Sequence, residues 1–171
     1  PLMMIDPAYT NYISFAQRLG RKTVTIKRQM SEDGKFNLPE ISEIEAMIKE
    51  HNPGGLLVIP YDNPTGQLYD NKTLVELAKL CVDNNMWLIS DEAYRELYYK
   101  EDQDLVSIWA LSDEDIPGIE GRRISIETAS KVWNACGLRI GAVITDNAEF
   151  SKKSIAEYTA NLCANVIGQY I

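Results

Sequence analysis

The residues able to do chemistry together are Asn63 in YDNPTG, Asp91 and Tyr94 in SDEAY, and Thr128, Ser130, Lys131 and Arg139 in TASKVWNACGLRIG. They offer an amide, a carboxylate, a phenol, two hydroxyls, an amine, and a guanidinium eight positions beyond the amine. Such a set suits an aromatic nitrogen heterocycle that also carries an aldehyde and a phosphate. Four of them also have a plainer use. Asn63-Pro64 can be an ordinary turn, Asp91 the cap of a helix over EAYREL, Lys131 a surface lysine, and Arg139 a partner for a surface carboxylate.

What must position these groups is legible in the apolar runs. LMMI (2–5), TVTIK (23–27), LLVIP (56–60), MWLIS (86–90), RISIE (123–127) and LRIGAVIT (138–145) read as strands. Helical patterns alternate with them: Tyr12 to Leu19 closing on Gly20, ISEIEAMIKEH opened by Pro39, and LVELAKLCVDNN capped by Asp70 or Asn71. This alternation predicts an α/β fold, with the helices as crossovers between parallel strands. Only ten residues separate Glu127 from Leu138, too few for a crossover helix, so the last strand is expected to run antiparallel. In an open parallel sheet ligands collect beyond the carboxyl ends of the strands. Asn63, Asp91 and the Thr128–Lys131 group all fall there.

From Asn147 onward, Ile155, Tyr158, Leu162 and Val166 form a helical stripe that continues to the end of the sequence. The loop 110–122 is acidic and reads as a surface excursion. Trp87 and Trp133 read as core or near-core, Cys81, Cys136 and Cys163 as small buried hydrophobes, and His51 as part of a helix C-terminal cap.

At 171 residues, 45% hydrophobic and 25% charged, the chain has the composition of one globular domain. Its net charge of −8 is spread over several segments, which argues against a nucleic-acid groove or an anionic membrane surface. Three cysteines without CxxC spacing and a single histidine argue against a disulfide framework or a zinc site. No run approaches the ~18 apolar residues of a membrane span, and no signal peptide is visible, so a cytoplasmic location is the expectation.

Taken in order, DPAYTNY, YDNPTG, ISDEAY and SKVWNACGLRIG resemble the motifs of the class I/II aminotransferases, the fold type I enzymes that use pyridoxal 5′-phosphate (PLP). The resemblance implies a three-layer αβα large domain. It makes Lys131 the Schiff-base lysine and Asp91 the carboxylate paired with the pyridine nitrogen. Asn63 and Tyr94 would hydrogen-bond the ring oxygen, with Gly66 supplying the tight backbone after the stiff N-P-T segment. Arg139, Ser130 and Thr128 would hold the phosphate, and Tyr9 would stack on the ring. Tyr12 is a neighbour that could stand behind Asp91, and is not counted in the site.

The family's members are at least about twice this length. The resemblance therefore implies that residues 1–171 are part of the PLP-binding large domain. The first sheet strand, the phosphate-cradling turn and the small domain, with its substrate-carboxylate arginine, would lie outside them. It further implies amino acid and 2-oxo acid substrates, a homodimer for the whole protein, negligible turnover by the 171 residues alone, and an uncovered edge at strand 138–145 open to pairing with other chains. Other fold type I reactions (β-elimination, decarboxylation, ring closure) and an aminotransferase-like regulatory domain share these motifs. A dinucleotide-binding fold is disfavoured, because no G-x-G-x-x-G follows the first strand.

Overall fold

A computed structural model describes residues 1–97, 99 and 105–170. In chain order the elements are β1 (Leu2–Asp6), α1 (Asn11–Arg18), β2 (Thr23–Lys27), β3 (Gln29–Met30), β4 (Phe36–Asn37), α2 (Ile41–His51), β5 (Gly55–Val58), α3 (Asn71–Asp83), β6 (Trp87–Asp91), β7 (Arg123–Thr128), α4 (Ala129–Val132), β8 (Gly141–Thr145) and α5 (Ala148–Ala160). Six strands form one sheet in the order β2-β1-β5-β6-β7-β8, and β3 and β4 form a small hairpin. All pairs in the large sheet are parallel except β7 with β8, which is antiparallel as expected from the short connection.

The strands alternate between two apolar layers, as a sheet covered on both faces requires. Met3, Ile5, Leu56, Val58 and Leu88 face α2 and α3, meeting Ile44, Ile48, Leu74 and Leu77. Met4, Leu57, Ile59 and Ile89 face the other way, toward Tyr12 and Ile13 of α1. On that second face Phe150 of α5 packs 5.5 Å from Trp87, the neighbour of Ile89 two positions along β6. The result is the three-layer αβα arrangement.

Local signals set the helix ends. Asp70 accepts from the Thr73 N–H at 2.7 Å and caps α3. Glu40 and Glu43 form a capping box that opens α2 after Pro39, and Asn52 closes it in the left-handed conformation beyond His51. Leu77 of α3 is fully buried between helix and sheet. Leu77→Ala is expected to cost about 3–4 kcal/mol by transfer and cavity effects, read as a lower midpoint in denaturant unfolding at an unchanged slope.

Four expectations need correction. The 110–122 loop is not only a surface excursion, because Leu111, Ile116 and Ile119 are buried in the larger core. Trp133 is 74% exposed rather than near-core. Cys81 is buried, whereas Cys136 and Cys163 are exposed. The helix from Asn147 ends at Ala160; Leu162 has φ 75°, a left-handed conformation that no helix continues through, and a short 3₁₀ turn at Ile167–Gln169 follows. Ile171 lies outside the described residues. β8 stands at the sheet edge with Val143 and Ile144 exposed, as expected of an edge strand. No helix among the described residues is long and apolar enough to cross a membrane.

Candidate active site at the carboxyl edge of the sheet

Register places the site residues side by side. Val58 of β5 pairs with Ser90 of β6, and Asp91 pairs with Ile126 of β7, so these three strands end at one edge of the sheet. Antiparallel β8 begins at that same edge, since Gly141 pairs with Thr128. Arg139, two residues before Gly141, therefore enters the edge from the opposite chain direction. Glycine is required at 141: a Cβ there would stand 2.5 Å from the Glu127 carbonyl oxygen.

Asp91 is the last residue of β6. Its Oδ1 accepts from the Ala93 N–H at 3.0 Å, and its Oδ2 accepts from the Tyr12 hydroxyl at 2.5 Å. The segment after it, 92–97, forms turns rather than the helix that an N-cap reading of Asp91 needs. Tyr12 is thus a site residue that the sequence reading set aside, and the spacing of 79 residues gave no local signal for the contact. Burial, and after it the Asp91 carboxylate, pushes the Tyr12 phenol well above its ordinary value. Tyr12 therefore stays a protonated donor across the physiological range. Tyr9 packs edge-on against Tyr12, with centroids 6.0 Å apart, and its hydroxyl accepts from the Asn11 amide at 2.8 Å.

Lys131 lies in the short helix α4 that follows β7 directly. Its Nζ stands 5.4 Å from the centroid of the Tyr94 ring. Thr128 caps α4: its Oγ accepts from the Ser130 N–H at 3.1 Å and pairs with the Ser130 Oγ at 2.9 Å. With Thr128 donating to it, Ser130 keeps its own hydroxyl proton for a further acceptor. Arg139 is exposed, has φ 50°, and donates from Nη1 to the Cys136 carbonyl at 2.7 Å. Among the described residues the Asn63 side chain makes no hydrogen bond, although its loop is held by the Asp62 N–H on the Gln67 carbonyl at 2.9 Å and the Gly66 N–H on the Asp62 carbonyl at 3.0 Å, with Gly66 at φ 69°. The structure thus joins Asp91 to Tyr12 and Lys131 to Tyr94, and places Asn63 and Arg139 on the same edge without direct contact to either pair.

Behind this edge Glu92, Arg95 and Glu127 form a charged network that the sequence reading missed. Arg95 bridges Glu92 at 3.0 Å and Glu127 at 3.1 Å, while Glu92 accepts from Ser107 and from the Ile108 N–H. Burial raises the Glu92 carboxyl above its ordinary value, opposed by those hydrogen bonds and by Arg95. The network ties the turn after Asp91 to the end of β7, alongside the ladder that pairs Asp91 with Ile126.

The donor set fits a PLP-type molecule: a carboxylate backed by a phenol, an amine over a phenol ring, a free amide, and a hydroxyl and guanidinium at one edge. Comparison with known proteins points the same way. Residues 1–169 match the family described as aminotransferase class I and II. The protein named "Probable alanine aminotransferase, mitochondrial" from Dictyostelium discoideum is 32% identical over 83% of this chain and 28% of its own length. An aspartate aminotransferase of Sulfolobus acidocaldarius is 27% identical over 96% of this chain and 38% of its own. The chain thus spans about a third of the length of these relatives. In fold it matches the PLP-bound C-S lyase of Staphylococcus hominis at a TM-score of 0.79, with 19% identity over 92% of this chain and 38% of that one. On the strength of a family match running through both strand ends and the lysine helix, the chain belongs to aminotransferase class I and II.

Proposed function

We propose that the protein carrying this chain is a PLP-dependent aminotransferase that moves an amino group between an amino acid and a 2-oxo acid, and that these residues are part of its coenzyme-binding domain. The observation that carries the reading is the placement of Asp91 and Lys131 at the carboxyl ends of adjacent strands, with the Tyr94 ring beside the lysine. The alanine and aspartate aminotransferases among its relatives favour amino transfer over the lyase chemistry found on the same fold.

When bound, PLP supplies an aldehyde carbon for amine attachment and a ring that accepts the electron pair left at the substrate Cα. The chain's own residues do the rest. Asp91, held by Tyr12, keeps a proton on the pyridine nitrogen. Lys131 would be the amine that holds the coenzyme and the base that moves a proton at the substrate Cα. Tyr94 and Asn63 would donate to the ring oxygen, Arg139 and Ser130, the latter oriented by Thr128, would hold the phosphate, and Tyr9 would cover one face of the ring. The whole protein works as a homodimer in this reading.

The first test is to incubate the protein with PLP, reduce with borohydride, digest, and locate pyridoxyl-lysine by mass spectrometry. Labelling is expected at Lys131 above every other lysine and is lost in Lys131→Ala. Scattered labelling that is unchanged in the variant would sink the assignment. For the reaction class, product formation should require a 2-oxo acid acceptor; release of a thiol, with pyruvate and ammonia, from a cysteine S-conjugate without an acceptor would identify a lyase instead.

A further inference from the structure

The loop that carries Asn63 is closed by a buried cation from outside it. Arg28 follows β2 directly and is 6% exposed. Its Nη1 donates to Asp62 Oδ2 at 2.7 Å, Thr65 Oγ at 2.8 Å and Gln67 Oε1 at 2.9 Å, and its Nη2 donates to the Tyr69 hydroxyl at 3.1 Å. The Arg28 N–H donates to the Asp6 carbonyl at 2.7 Å, which fixes the base of the side chain to the end of β1. Within the loop, the Thr65 hydroxyl also donates to Asp62, the Asp62 N–H donates to the Gln67 carbonyl at 2.9 Å, and the Gly66 N–H donates to the Asp62 carbonyl at 3.0 Å.

Stability alone is a poor reason for this arrangement. The side chains of Arg28 and Asp62 are 1% and 0% exposed, and among the described residues Arg28 Nε and Asp62 Oδ1 have no hydrogen-bond partner. Desolvation of such a pair offsets most of its attraction, and apolar side chains of similar volume often hold a fold as well. What apolar contacts cannot supply is direction. One planar guanidinium touches residues 62, 65, 67 and 69, on both arms of the loop, and between the first two it leaves Asn63 and Pro64 free, of which only Asn63 carries a polar side chain.

We infer that Arg28 is a positioning residue: the buried Arg28–Asp62 pair holds the 61–69 loop in the conformation that aims the Asn63 amide at the ring oxygen of the coenzyme. The inference rests on the reading of Asn63 given above, and its test separates the two. The amide stabilises negative charge on that oxygen, so losing it should raise the pH at which the visible absorption band of the bound coenzyme changes. Asn63→Ala is expected to move that midpoint up by about one pH unit, the size of one hydrogen bond to a charged group. Arg28→Met combined with Asp62→Asn removes both buried charges and leaves Asn63 in place. It should move the midpoint in the same direction by at least about half as much, and adding Asn63→Ala to it should give no more than Asn63→Ala alone.

In the coenzyme-free protein, amide exchange at Thr65, Gly66 and Gln67 should be at least about tenfold faster in the paired variant. A wild-type midpoint in the paired variant beside a shifted Asn63→Ala would overturn the positioning role and leave the Asn63 reading standing. An unshifted Asn63→Ala would remove both. Unchanged amide exchange would also overturn the inference. Arg28→Lys keeps the buried charge, and with it the fold, but replaces the fork by a point donor; it should give an intermediate shift and is judged by the same criteria.

Discussion

Replacing Lys131 with alanine is expected to lower the rate of amino transfer by the whole protein about ten-thousandfold or more. The size follows from the roles that converge on one amine. Proton transfer by a positioned base is worth about 10²–10⁴ in rate, and loss of the covalent anchor adds to it because the coenzyme aldehyde is no longer held as a reactive adduct. The fold should be indifferent. Lys131 is exposed and enters no salt bridge among the described residues, and its contact with the Tyr94 ring at 5.4 Å contributes about 0.5–1 kcal/mol at most. Single-turnover kinetics of coenzyme-loaded protein with an amino acid, alongside thermal unfolding, separates the two effects. Lys131→Arg keeps the charge but not a titratable nucleophile, and should be nearly as slow as the alanine variant. A rate within tenfold of the wild type in either variant would take Lys131 out of the chemistry.

The parts of this site that the sequence reveals are those written locally. Lys131 and Arg139 sit within one motif, Asp91 closes an apolar run, and Asn63 lies between a strand and a capped helix, so periodicity and turn chemistry were enough to place each at a strand end. The antiparallel β8 was legible for the same reason, since a ten-residue connection cannot hold a crossover. The contacts that hold these groups in place are of another kind. Tyr12 reaches Asp91 across 79 residues, and Arg28 reaches Asp62 across 34. A long-range hydrogen bond between side chains leaves no pattern along the chain.

The 110–122 segment misleads for a related reason. Leu111, Ile116 and Ile119 follow neither helix nor strand period and are flanked by acids, yet the 3₁₀ turn at Ile108–Ala110 and Arg123 fold them inward. Arg123 donates to the Leu111 carbonyl at 2.5 Å and bridges Asp146 at 2.6 Å, which ties the loop to the start of β7. Residue type alone puts Trp133 near the core. In the structure it caps a four-residue helix with little behind it, and side-chain size does not create a neighbour.

Asp91→Ala is expected to lower amino transfer about a thousandfold, the usual scale for removing a preorganised electrostatic group from a reacting centre. In the proposed role, loss of the carboxylate would remove the group that keeps the pyridine nitrogen protonated, and with it most of the ring's capacity to take up electrons. Asp91→Asn should fall nearly as far, because the amide retains the shape and loses the charge. Tyr12→Phe should cost much less, about tenfold, since it removes one of two donors to the carboxylate and leaves the Ala93 N–H in place. The pair also makes a prediction that does not need the coenzyme. In Asp91→Ala the Tyr12 hydroxyl is left in a partly buried position without its acceptor, which costs about 1 kcal/mol of stability. Adding Tyr12→Phe removes the orphaned hydroxyl, so the double variant should be more stable than Asp91→Ala alone, though Tyr12→Phe by itself is destabilising. Denaturant unfolding of the four coenzyme-free proteins measures this directly. Additive losses in the double variant would mean that the 2.5 Å contact between Tyr12 and Asp91 does not couple the two residues, and that α1 has no part in holding the carboxylate.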